Sequence, residues 1–96
     1  MSKMTRMPTT PGEILDQEFL KPLRLTQRRL ASHLGCDVRV INRMVNGRIA
    51  VTARMAICLA AALGTTPEFW LNAQQAVDLH GAAKQVRPLP KAIQSA

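Results

Sequence analysis

One stretch, Thr26–Gly47, constrains the fold more than any other part of the chain. In it a small residue, Ala31, is followed four positions on by Gly35 and six positions further by Ile41. Two helices that cross steeply around a tight turn need this pattern. Where they nearly touch, the first needs a small side chain. The turn needs a positive φ, which glycine adopts without steric cost. The second helix must fix one side on the core, and Ile41 and Met44, three apart, do so. Leu30, Leu34 and Cys36 complete the inward set. The pattern predicts a helix-turn-helix with bounds 26–47, although by itself it also fits a helical hairpin in a bundle.

The outward face points to a partner. With Ile41 and Met44 inward, the second helix presents Val38, Arg39, Asn42 and Arg43. An ordinary solvated face mixes Glu with Lys, but this one has two arginines, an asparagine and no glutamate. Arginine can donate two hydrogen bonds to guanine O6 and N7, asparagine can pair with adenine N6 and N7, and Val38 can touch a thymine methyl. The whole chain has a formal net charge of +7, and Lys21, Arg24, Arg28, Arg29, Arg39, Arg43 and Arg48 fall in one segment whose only acid is Asp37. Such a balance favours double-stranded DNA as partner. Gln27 sits where its amide and the free N–H groups of a first turn can bond phosphate. Arg24, Arg28, Arg29, Asn46 and Arg48 are further phosphate candidates. Asp37 either caps the second helix or accepts from cytosine N4.

Around this motif the sequence predicts an all-α chain of five helices, with no convincing strand and no internal repeat. Thr10-Pro11 opens a first helix with Ile14, Leu15, Phe19 and Leu20 as its apolar stripe, and Pro22 ends it. Thr26 and Asp37 cap the two motif helices. Thr52 caps a fourth helix that Gly64 closes, and Thr66-Pro67-Glu68 starts a fifth reaching about His80. The expected organisation is a flexible arm over 1–10, one domain over 11–81 and a tail over 82–96 that contains Arg87-Pro88-Leu89-Pro90. With 96 residues the chain supports one domain, and 47% hydrophobic residues supply a core.

Several classes of function are disfavoured. Cys36 and Cys58 lack metal-ligand spacing and read as reduced thiols of a cytoplasmic protein. His33 and His80 read as exposed polar residues outside any metal or catalytic cluster. No nucleophile–base arrangement, carboxylate pair or phosphate loop stands out, so neither an enzyme nor a cofactor is expected. No apolar run approaches the roughly 20 residues of a membrane span, and the N-terminal residues lack the apolar stretch of a signal peptide.

The chain from Pro11 to Leu79 resembles the HigA family of antitoxins, whose domain is of the lambda-repressor-like class. The matching pieces are Pro11-Gly12-Glu13-Ile14-Leu15, Leu25-Thr26-Gln27, Leu34-Gly35, Ile41-Asn42-Arg43, Val45-Asn46-Gly47, Thr52-Ala53 with Met55-Ala56, the run from Ala61 to Asn72, and Asp78-Leu79. The run Thr66-Pro67-Glu68-Phe69-Trp70-Leu71-Asn72 is the most specific, because a generic helix-turn-helix does not need it. The resemblance implies a five-helix bundle and a homodimer. It implies repression of the protein's own operon at a palindromic operator, and neutralisation of a HigB/RelE-like toxin that cleaves messenger RNA on the ribosome. In such relatives the arginine matching Arg43, and residues near the start of the third helix, read bases. Two departures stand out: Thr10 where the family often has His, and Asp37-Val38-Arg39 where it often has Thr, Ser or Pro. The second leaves the operator sequence open.

Trp70 reads mainly as core. Leu71, Ala73, Gln74, Val77 and the region to His80 are the dimer candidates, because one helix cannot bury apolar residues on all sides in so small a monomer. Glu13, Asp16 and Glu18 on the first helix are either a solvated face or a surface for a basic toxin. Two other readings stay open, a repressor that has no toxin and a helical adaptor that binds only protein.

Overall fold

In a computed structural model of the chain, residues 7–93 are described. Most of the arm expected over 1–10, and the last three residues of the tail, therefore lie outside the described residues. The rest forms five helices, with no strand among the described residues. Helix α1 covers residues 11–23 in three continuous pieces, α-helical Pro11–Ile14, π-helical Leu15–Leu20 and α-helical Lys21–Leu23. It is followed by α2 (Gln27–Leu34), α3 (Val38–Val45), α4 (Ala53–Leu63) and α5 (Pro67–Gln85).

Each helix begins on a residue that satisfies an otherwise unpaired first-turn N–H. The side chains of Thr10, Thr26, Asp37, Thr52 and Thr66 accept from the backbone N–H of Glu13, Arg29, Arg39, Met55 and Phe69. At Thr10 the bond is reciprocal, because the Glu13 carboxylate accepts from the Thr10 backbone N–H. A cap of this kind contributes about 1 kcal/mol.

Two helix ends differ from the sequence expectation. Pro22 does not end α1 but lies inside its last turn, and the helix closes at Arg24, whose φ is 54°. The π-helical piece explains this. Proline lacks an N–H and its ring meets the carbonyl four residues back. In the widened turn the bonds reach five residues back instead, as from Lys21 N–H to Asp16 O. The same widening stacks residues five apart, so Leu15 and Leu20 are both buried. At the other end of the chain, α5 passes His80 and Gly81 and continues to Gln85. Gly81 costs about 1 kcal/mol inside a helix, and Ala82, Ala83, Lys84 and Gln85 beyond it are good helix formers.

The core joins all five helices. Leu15 and Leu20 of α1, Leu30 and Ala31 of α2, Ile41 and Met44 of α3, Ala56, Leu59 and Ala60 of α4 and Trp70 of α5 are buried, with Val51 from the α3–α4 connection. Trp70 is fully buried, as expected from the sequence. Its indole N–H donates to Thr65 Oγ1 at 2.7 Å, and its ring lies 5.5 Å from Phe19 and 5.1 Å from Phe69. Gly12 sets the approach of α1 to α3. A Cβ on it would stand 1.9 Å from the Met44 carbonyl oxygen and 2.8 Å from that of Val45. Only glycine allows α1 to lie directly on the last turn of α3. Gln74 ties α5 to the α3–α4 connection by accepting from the Val51 backbone N–H at 2.9 Å.

Candidate nucleic-acid interface

The α2–α3 turn is built as the sequence spacing requires. Ala31 is buried at the crossing, and Gly35 takes φ 74°. The Cys36 N–H then returns to the Ala31 carbonyl at 2.9 Å, which closes the end of α2. The turn directs α3 so that Ile41 and Met44 anchor its back, at 0% and 2% exposure. Arg39, Asn42, Arg43 and Asn46 form its exposed front, at the i, i+3, i+4, i+7 spacing of one helix face. Val38 does not share that front. It is half-buried against the core, because it lies three residues before Ile41 and seven before Val45 and so takes their side of the helix.

Two polar devices hold the front in place. The first links α2 to α3, with Asn42 Nδ2 donating to Gln27 Oε1 at 3.2 Å and Asn46 Nδ2 donating to Asn42 Oδ1 at 3.3 Å. This relay orients the Asn42 amide before any ligand arrives. The second sits at the start of α3. Asp37 Oδ1 accepts from the Arg39 backbone N–H at 2.8 Å and from Arg39 Nε at 3.2 Å, while Oδ2 accepts from Arg39 Nη2 at 3.0 Å. Of the two roles open to Asp37, the structure displays the cap. The hydrogen bonds from the Arg39 side chain, then the one from its backbone, lower the Asp37 pKa to about 2. The same pair raises that of Arg39. The carboxylate therefore stays charged until the pH falls through about 2, and the cap holds throughout the neutral range.

The remaining basic residues divide into groups. Arg28 is exposed next to Gln27, and Arg48 is exposed just past α3. Arg24 and Arg29 instead line a concavity of about 520 Å³ with Leu23, Leu25, His33 and Leu63. Arg29 stands about 200° around α2 from Gln27, two residues on at 3.6 residues per turn. Arg54, which the sequence reading did not single out, lines a smaller cleft under the turn with Gly35, Cys36 and Cys58. Both cysteines are free and half-buried, and burial, followed by the charges of Asp37 and Cys58, pushes the Cys36 thiol up. Two of the acids of α1, Glu13 and Asp16, have local partners. Glu13 belongs to the Thr10 cap, and Asp16 accepts from Gln17 and pairs with Lys21 at 3.4 Å.

The five residues nominated for a dimer contact are all half-buried on α5. Leu71 packs on the core, and Gln74 bonds Val51 and also donates to Asp78 at 3.0 Å. Leu79, inside the region to His80 but not singled out within it, is 62% exposed, and Val86 just past the helix is 47% exposed. A plot of helix faces singles out Leu79, since it falls off the side that carries Trp70, Ala73 and Val77. Among the described residues no three His, Cys, Asp or Glu side chains gather into a metal site. No helix there is long and apolar enough to cross a membrane.

Comparison with known proteins bears on this face. A family model described as helix-turn-helix matches residues 17–70. The antitoxin HigA-1 of Vibrio cholerae is 46% identical over 93% of this chain and 90% of its own length. The solved structure of antitoxin GraA in complex with its operator is similar with a TM-score of 0.83 at 36% identity, covering 94% of this chain and 95% of that one. A structure of the Pseudomonas aeruginosa antitoxin HigA with the higBA promoter gives a TM-score of 0.77 at 33% identity, over 86% of this chain and 99% of that one.

Proposed function

Because this chain belongs to the helix-turn-helix family and, within it, to the HigA antitoxins, we propose that it is a homodimeric repressor of its own operon that also neutralises a toxin. The observation that carries the reading is the exposed front of α3, whose Asn42 amide is oriented by Gln27 and whose Arg39 guanidinium is oriented by Asp37. A face so arranged suits the major groove, where donor and acceptor patterns distinguish all four base pairs. The structures of GraA with its operator and of the P. aeruginosa HigA with the higBA promoter support the same partner.

In this reading Arg39, Asn42 and Arg43 contact base edges, and Val38 reaches at most a thymine methyl from the flank. Gln27, Arg28, Asn46, Arg48 and the first-turn N–H groups of α2 hold phosphates, with Arg24 and Arg29 adding charge further out. Leu71, Ala73, Gln74, Val77 and His80, joined by Leu79, form the dimer contact. Two copies of α3 then sit about 34 Å apart, one turn of DNA. The domain of 11–81 is the binding unit, with α5 reaching beyond it, and the protein works in the bacterial cytoplasm on the nucleoid. Its second partner is a toxin that cleaves messenger RNA on the ribosome. No catalysis by this chain is involved.

The test has two arms. Footprinting on the chain's own promoter is expected to protect two half-sites a helical turn apart. Co-expression with the adjacent small reading frame is expected to restore growth and yield a stable complex. A neighbouring frame that is harmless alone would leave a repressor without a toxin.

A further inference from the structure

We infer that Asp37 is a positioning residue that fixes the Arg39 guanidinium for guanine. The inference rests on the reading of α3 as the base-reading helix. Arg39 is at the start of α3 with 78% of its side chain exposed. An arginine so placed and left free would reach phosphates as readily as bases. The Asp37 carboxylate removes that freedom. It takes the Nε–H and one Nη2–H of Arg39, which together form one edge of the fork. A guanidinium has five N–H groups in a fixed plane. The outer edge, with one N–H from each Nη, is left free, and its spacing suits guanine O6 and N7.

The carboxylate is itself held. Its Oδ1 accepts from the Arg39 backbone N–H, so cap and clamp act on one residue and lock together. An exposed ion pair contributes little to stability, so the arrangement has its effect on orientation. It also places a negative charge where DNA phosphates approach. That charge weakens binding to any sequence and favours the site where Arg39 finds its guanine. Specificity gained at the expense of general affinity is the signature that separates a clamp from a plain cap.

The experiment selects bound sequences from a DNA pool randomised across the operator. It also measures binding to unrelated DNA and the melting temperature of each variant. Asp37→Asn keeps a capping oxygen and loses the charge and the two-oxygen grip. It is expected to lower the guanine preference at one base pair per half-site by about tenfold. Preferences elsewhere should stay, and affinity for unrelated DNA should hold or rise. Arg39→Ala should lose the preference at that same base pair. Asp37→Ser also caps without a carboxylate and is expected to behave as Asp37→Asn does. Retained guanine preference in both Asp37 variants overturns the inference and leaves DNA reading by α3 intact. An unchanged base profile in Arg39→Ala overturns it as well. A wild-type protein that selects no sequence overturns the base-reading assignment itself, and the inference with it.

Discussion

Helices α3 and α5 both carry apolar residues on one side, yet they leave different surfaces uncovered. In α3 the apolar side is used up, since Ile41 and Met44 are buried and the exposed front is polar. That front has donors in excess and suits an anion. In α5 the first turns are anchored by Trp70, but further along Leu79 remains 62% exposed. On the proposed reading that end of α5 meets a second copy of the chain. The two helices thus differ in what they leave uncovered, polar and charged donors on α3 and an aliphatic side chain on α5.

The comparison can be broken from the core outward. Trp70→Ala removes the anchor of α5 and is expected to cost about 3–5 kcal/mol in denaturant unfolding. A smaller loss would mean that α5 is held elsewhere. Gly12→Ala drives a methyl group into the Met44 carbonyl and is expected to cost about 3 kcal/mol. The α3 front should shift with it, so specific DNA binding falls more than the fraction unfolded explains. Arg43→Ala tests the polar front directly, with an expected loss of about 2 kcal/mol on the specific site and a relaxed preference at one base position. Equal binding to all sequences before and after the change would sink the reading. Leu79→Asp should leave the fold unchanged and weaken dimerisation about tenfold, or about 1.4 kcal/mol, as read by sedimentation-equilibrium centrifugation. An unaltered dimer would remove Leu79 from that contact. Arg28→Ala is the mildest change. It should weaken binding to every sequence alike and flatten the salt dependence by about one unit of slope.

Much of this architecture was legible in the sequence because its signals are local. Threonine caps, Thr66-Pro67-Glu68, Ala31 and Gly35 act within a turn or two of where they stand, and each did what its chemistry predicts. The misplaced features depend on more than neighbours. Pro22 reads as a stop unless the π-helical piece before it is known. Val38 looks outward by its place near Arg39, yet its phase with Ile41 and Val45 draws it partly inward. Gly12 appeared only inside a resemblance, because its role is to admit a carbonyl from a helix about thirty residues away. The bond between Gln27 and Asn42 likewise joins residues fifteen apart, a pairing that no pattern of spacing reveals.

The π-helical piece of α1 also fixes how the chain can change in length. Its wide turn holds one residue more than an α-helix would need over the same rise. Deleting a residue between Leu15 and Leu20 would let the segment relax to ordinary α-helix with the stretches on either side still in register, so Gly12 would keep its seat against the Met44 carbonyl. The relaxed segment would instead bring the Pro22 ring against the carbonyl four residues before it. A deletion at Glu13 or Ile14 has no surplus residue to draw on and would rotate Gly12 by about 100°, putting a residue with a side chain against the α3 carbonyls. Where a residue is lost from α1 thus matters as much as which residue it is.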